Sequence, residues 1–279
     1  MRGSDAGVQF EKLRAGGWER RPPIAARPFP GAATGWYGPG MIVVPTAPWA
    51  HYVGDALAWA GAALATRWQY RRWPAESGAL ARITRPSYFL VLAIGALLGA
   101  WLFGSTNSLR SSLVTPSHSI GGALAGGIVA VEAWKWWHGI RRSTGGSFVL
   151  PICVGIAIGR FGCLFAGLPD YTYGTPTALP WAVDLGDGIG RHPVELYEGL
   201  SMALFAVIYV RARLGGARWA RAHAFHAMII VYAAQRFAWE FLKPYPTVIG
   251  PLNVFHLLMM GLIVYGIVWW RRDDDRAAG

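Results

Sequence analysis

Charged side chains are scarce in this sequence, at 15% of 279 residues against 53% hydrophobic, where soluble domains carry about 25%. That shortage, with a positive mean hydropathy, argues against a water-soluble domain and for a polytopic membrane protein. Cysteine is rarer still. Cys153 and Cys163 are the two present, both in one apolar segment that as a helix would hold them about 15 Å apart, too far for a bridge. No disulfide framework is expected. No secretory signal pattern opens the chain, because its first apolar run begins near residue 41 and is broken by prolines. Internal repeats and paired interrupted helices are also missing, which weighs against a small transporter. Acidic residues are the minority sign, 15 against 26 Lys and Arg, for a net charge of +11. Such basicity can signal nucleic acid. Here the basic residues sit in short connections between apolar segments, so orientation in a membrane accounts for them and no nucleic-acid partner is expected.

What the sequence has in quantity is long apolar runs. Seven candidate spans cover about 51–68, 87–103, 119–137, 147–167, 194–210, 223–242 and 252–270, each approaching the roughly 20 residues that cross a hydrocarbon core. The expectation is an all-α integral membrane protein of about seven transmembrane helices. Alternate connections hold Arg67, Arg71, Arg72, Arg82 and Arg85, then Lys135, Arg141 and Arg142, then Arg211, Arg213, Arg218 and Arg221, then Arg271, Arg272 and Arg276. The other set holds Arg110, Arg191 and Lys243. This bias puts the first set in the cytoplasm, with the N-terminus outside and the C-terminus inside. Residues 1–50 read as a flexible Gly/Pro-rich tail, with Met41 a candidate true start. Residues 51–270 form the membrane domain and 271–279 a charged cytoplasmic tail.

Ionisable residues inside spans cost about 2.5–3.5 kcal/mol each on insertion scales and are kept for a use. In "VYAAQRFAWEFLK" the spacing of four stacks Tyr232, Arg236 and Glu240 on one helix face. Arg236 offers a fork for phosphate or carboxylate that Glu240 can aim; a purely structural Arg–Glu pair is the alternative. In "GIAIGRFGCLFAG", Arg160 sits among Gly155, Gly159, Gly162 and Gly167, small residues that let backbones or a lipid approach; snorkelling to the interface is the alternative. In "RHPVELYEGL", Pro193 suits a helix start, His192 lies near the cap, and Glu195 and Glu198 fall within one turn. His192 is an acid–base candidate, or simply a hydrogen-bonded interface residue. His118 in "TPSHSIGGALAGG" is a general-base candidate at the outer face, or a solvated loop residue.

The strings "GRFGCLFAG", "RHPVELYE" and "YAAQRFAWEF", in that order at span ends, resemble the prolipoprotein diacylglyceryl transferases of bacterial inner membranes, over about residues 87–270. The resemblance implies a multi-pass inner-membrane enzyme that needs neither cofactor nor metal. It would move the diacylglyceryl group of phosphatidylglycerol, a bacterial membrane lipid, onto the lipobox cysteine of preprolipoproteins, the first step of lipoprotein maturation. By that likeness Arg160 and Arg236 hold the head group and Glu240 orients Arg236. Tyr232 lines the cavity, with Gly162, Gly167, His192, Glu195, Tyr197 and Glu198 as further substrate-binding residues. Two arginines in a low-dielectric site stabilise most strongly the charge gathering on a glycerol-phosphate leaving group. The pattern departs from the family at several places. Cys163 stands where asparagine follows "GRFG", and Asp170 is at best a displaced glutamate. Ile120 precedes Gly121 where a histidine is usual. Glu195 replaces a glutamine, and Tyr37 or Tyr52 stands nearest the family's N-terminal tyrosine. A non-catalytic paralogue binding anionic phospholipid is the alternative these departures keep open.

Overall fold

The computed structural model describes residues 41–74, 85–106 and 118–278. Residues 1–40, including Tyr37, and the stretches holding Arg82 and Arg110 lie outside them. Among the described residues, seven long helices occupy the seven apolar segments: α1 (Ala50–Arg72), α2 (Pro86–Thr106), α3 (Ile120–Trp137), α4 (Val149–Ala166), α5 (Val194–Leu214), α7 (Ala224–Glu240) and α8 (Val254–Ala278), with a short α6 (Arg218–Ala222) between α5 and α7. Among the described residues, three stretches are long and apolar enough to cross a membrane by length and composition: Pro86–Thr106, Gly145–Ala166 and Val254–Asp274. Large apolar side chains point outward along the helices, among them Trp59, Leu64, Leu97, Val129, Leu204 and Val264, as a lipid-facing surface requires and a soluble surface avoids. Tryptophans are exposed at helix ends, Trp49 before α1 and Trp136 and Trp137 closing α3, where amphipathic rings favour the interface.

Local signals explain the helix boundaries. Proline opens α2, where its missing N–H is no loss. The Ser119 hydroxyl accepts from Gly122 N at 3.2 Å and caps α3. Gly167, at φ 74°, ends α4 in a left-handed conformation that favours glycine. Small residues then set how closely the helices pack. A Cβ on Gly99 would strike the backbone of Gly122 and Gly126, and one on Gly54 would strike Gly162. The α2–α3 and α1–α4 pairs are therefore backbone-close contacts of the small-residue type.

A three-stranded sheet sits at the end of the bundle where α1 begins and α4 ends. Its order is β1 (Ile42–Val43), β2 (Val183–Asp184) and β3 (Gly190–Arg191), the first pair parallel and the second antiparallel. Residues 41–49 thus belong to the fold rather than to a loose tail, because Ile42 N and Val44 N donate to Ala182 O and Asp184 O, each at 3.0 Å. The charged C-terminal stretch is likewise a continuation of α8, which runs unbroken to Ala278. His223 Nε2, 2.9 Å from Asp274 Oδ1, ties that stretch to the start of α7. Pro193 takes the cap position of α5, one place earlier than its suitability for the first turn implies. Both cysteines are free.

Candidate active site

The site grows from the α7 ladder. Tyr232, Arg236 and Glu240 are all buried, stacked by their spacing of four, and Arg236 Nη2 lies 3.0 Å from Glu240 Oε2. The other guanidinium nitrogen of Arg236 pairs with Glu198 on α5. Arg160 reaches the same carboxylate from α4, its Nη2 2.6 Å from Glu198 Oε2. Lys243, just past α7, adds a third cation, its Nζ 2.9 Å from Glu198 Oε1. Glu198 is therefore the hub that draws three helices together. Isolated buried charges are costly, so such groups survive only in mutual contact.

Asn253 and His256 complete the arrangement at the start of α8. His256 N donates to Asn253 Oδ1 at 3.1 Å, and Asn253 N donates back to His256 Nδ1 at 3.1 Å, a reciprocal cap in the manner of a capping box. So fixed, Asn253 Nδ2 donates to Glu240 Oε1 at 3.0 Å. Glu240 thus aims Arg236 and is itself aimed.

Charge decides what this cluster can hold. Three cations, Arg160, Arg236 and Lys243, pair with two carboxylates, Glu198 and Glu240, and Glu195, buried beside them, is a third acid of the cluster. Arg160 Nε and the Tyr232 hydroxyl are buried without a hydrogen-bond partner among the described residues, and a buried unfilled donor needs a reason. An anion with several acceptor oxygens, such as a phosphodiester, can accept from both donors.

The remaining expected residues separate into groups. His192, whose basicity burial lowers, has Nδ1 3.4 Å from the Tyr197 hydroxyl, which accepts from Trp181 Nε1 at 2.7 Å. Trp239 lies against the Tyr197 ring with centroids 5.1 Å apart. These form an aromatic wall beside the cluster. Glu195 is buried next to the hub, its Oε1 3.1 Å from Thr172 Oγ1. A Cβ added at Gly162 would meet Gly54 and one at Gly167 would meet Thr46, so both glycines allow close packing here. His118 is exposed before the α3 cap, and among the described residues no hydrogen bond or ion pair joins it to the cluster.

Sequence reasoning missed the hub role of Glu198 and the whole contribution of Lys243, Asn253 and His256. One signal was present. Lys243 follows Glu240 by three and Arg236 by seven, so it extends the ladder's face by another turn.

A family model described as prolipoprotein diacylglyceryl transferase matches residues 56–272. Proteins named phosphatidylglycerol–prolipoprotein diacylglyceryl transferase are similar to the chain. That of Finegoldia magna is 33% identical over 126 residues, 43% of this chain and 47% of the relative. That of Cupriavidus necator is 33% identical over 176 residues, 57% of this chain and 62% of the relative. That of Solidesulfovibrio magneticus is 30% identical over 215 residues, 68% of this chain and 76% of the relative. The chain thus spans from about half to under two thirds of the first two relatives. With most of its length matched, this chain belongs to the prolipoprotein diacylglyceryl transferase family.

Proposed function

We propose that this chain transfers the diacylglyceryl group of phosphatidylglycerol to the lipobox cysteine of preprolipoproteins, at the outer face of the bacterial inner membrane. In this reading seven helices span the membrane with the N-terminus outside, and the arginine cluster lies near the outer ends of α4, α5 and α7. The observation that carries the proposal is the convergence of Arg160 and Arg236 from separate helices on Glu198, with Arg160 Nε buried and without a partner among the described residues. Phosphatidylglycerol carries one negative charge on its phosphodiester. When the bond between the glyceryl carbon and the phosphate oxygen breaks, the departing glycerol phosphate acquires a second. Fixed guanidinium groups in a water-poor pocket stabilise that second charge more than the first, the condition for lowering the barrier rather than merely binding substrate. The attacking sulfur comes from the substrate, so neither Cys153 nor Cys163 is required as nucleophile.

Expression in a strain depleted of its own transferase tests the proposal. Wild-type chain should restore lipidation of a reporter preprolipoprotein, while Arg236→Ala and Glu240→Gln abolish it and His118→Ala has a smaller effect. Because removing one partner of a buried pair destabilises by about 3–5 kcal/mol, membrane levels of each variant are measured alongside. Full rescue by Arg236→Ala would refute the assigned role. Phosphatidylglycerol retained on purification without any turnover would instead support the non-catalytic reading.

A further inference from the structure

Cys163 stands one turn beyond Arg160 on α4 and faces two groups that the arginine cluster leaves unused. These are His51 at the start of α1 and Asp170 in the turn that follows α4. One nitrogen, sulfur or oxygen atom from each of His51, Cys163 and Asp170 lies within 4.8 Å of the others. His51 Nδ1 is 2.8 Å from Asp170 Oδ1, and Thr172 Oγ1 is 2.9 Å from Asp170 Oδ2 and 3.1 Å from Glu195 Oε1. Glu195 in turn lies one helical turn before the hub, Glu198. A polar path therefore runs from the cationic cluster to His51.

The two members of the His51–Asp170 pair differ in exposure. The Asp170 side chain is 12% exposed and the His51 side chain 38%. A mostly buried carboxylate thus holds one ring nitrogen of an imidazole whose far side is exposed. The far nitrogen, Nε2, is 3.3 Å from Asp55 Oδ2, itself 56% exposed, and a contact of that kind is worth little and readily displaced. The backbone contact of Gly54 with Gly162 holds α1 on α4, so the fold rather than a loop fixes where His51 stands.

Building on the transfer reaction proposed above, we propose that His51, oriented by Asp170, accepts the proton of the incoming substrate thiol. The thiol proton passes to Nε2 of the neutral ring. The sulfur bonds the glyceryl carbon as that carbon's bond to the phosphate oxygen breaks, and the electron pair leaves on the phosphate beside Arg160 and Arg236. His51 then returns its proton to water. This supplies the thiolate that a thiol of ordinary acidity provides only sparsely at neutral pH. Among the described residues, the titratable groups facing His51 are Asp55 and Tyr52 on its own helix, Cys163 on α4 and Asp170 after α4.

The test uses the purified full chain in phosphatidylglycerol vesicles with a lipobox peptide, followed by peptide mass and glycerol phosphate release across pH. His51→Ala should lower kcat by about 100-fold or more, erase the acidic limb of the kcat/KM profile, leave bound phosphatidylglycerol unchanged and recover partly with added imidazole. His51→Gln, which keeps a polar side chain at the same place, should behave alike without imidazole. Asp170→Asn should cost less and lower kcat with KM unchanged, because the ring loses its orienting partner but keeps the nitrogen that takes the proton. Full activity in His51→Ala, or an unchanged profile in the slowed variant, would overturn the assignment. So would loss of wild-type activity on chelation with recovery on adding zinc, since His51 would then be a metal ligand. Wild-type chain that transfers nothing would overturn the reaction itself, and this role with it.

Discussion

At the scale of single residues, the site rests on one carboxylate shared by three cations. Glu198 accepts from Arg160, Arg236 and Lys243, so each cation is held by a group the others also restrain. Arg160 spends one terminal nitrogen on this hub, while its Nε has no partner among the described residues. Its fork can therefore serve a ligand without abandoning the fold. Arg160→Lys keeps the charge but loses the planar fork, and the two side chains are not interchangeable at such a site. The variant should reach the membrane at wild-type levels and show kcat lowered at least about tenfold, one lost charge-assisted hydrogen bond being worth about 1.5–3 kcal/mol. Steady-state kinetics beside quantitative immunoblotting checks this, and unchanged kcat would remove Arg160 from transition-state contact. Arg160, Arg236 and Glu240 were legible as candidates because ionisable residues in apolar runs stand out. Lys243 was not, because a lysine just past a span looks like a loop residue until the chain is folded back. His51 was hidden for a related reason, since its partner Asp170 lies over a hundred positions away and no local spacing announces the pair.

At the scale of elements, the long helices were legible and the strands were not. Each helix carries its apolar run within itself. The strands β1, β2 and β3 are two residues each, too short for an alternating pattern to register, and β1 gains its partner from β2, far along the chain. The glycines gave half of their message. Those around Arg160 announced close approach, but only the packed pair reveals that Gly95 and Gly99 of α2 meet Gly122 and Gly126 of α3 backbone to backbone. Gly99→Leu forces these helices apart, and overpacking of this kind costs typically about 1–3 kcal/mol or more. Thermal unfolding in detergent should show a lower Tm for Gly99→Leu, whereas Gly261→Leu on α8, where an added Cβ meets nothing within 4 Å, should leave Tm unchanged. Equal Tm values for all three proteins would contradict the α2–α3 contact.

At the scale of the whole molecule, the account ties charge asymmetry to the place of the chemistry. The α1 start, the α4 end, the β-strands, the α5 start and the α7 end share one end of the bundle, joined by contacts such as Ala47 N to Phe165 O at 2.8 Å and Thr175 N to Leu242 O at 2.7 Å. The arginine-rich connections mark the other end, where Gln69 Nε2 donates to Ser147 O at 3.2 Å. If the positive connections are cytoplasmic, a cysteine placed at Asp187 should react with a membrane-impermeant maleimide in intact cells after removal of the outer barrier. One placed at Ser143 should react only after lysis, and the reverse pattern would invert the topology. The central claim is that the Arg160–Arg236 cluster moves a diacylglyceryl group, and one measurement addresses it most directly. Purified chain in phosphatidylglycerol vesicles is given a lipobox peptide, and glycerol phosphate is counted against peptide gaining the diacylglyceryl mass. The account predicts equal amounts of both products from wild-type chain and none above background from Arg236→Ala; equal turnover by the two proteins, or no product from folded wild-type chain, would contradict it.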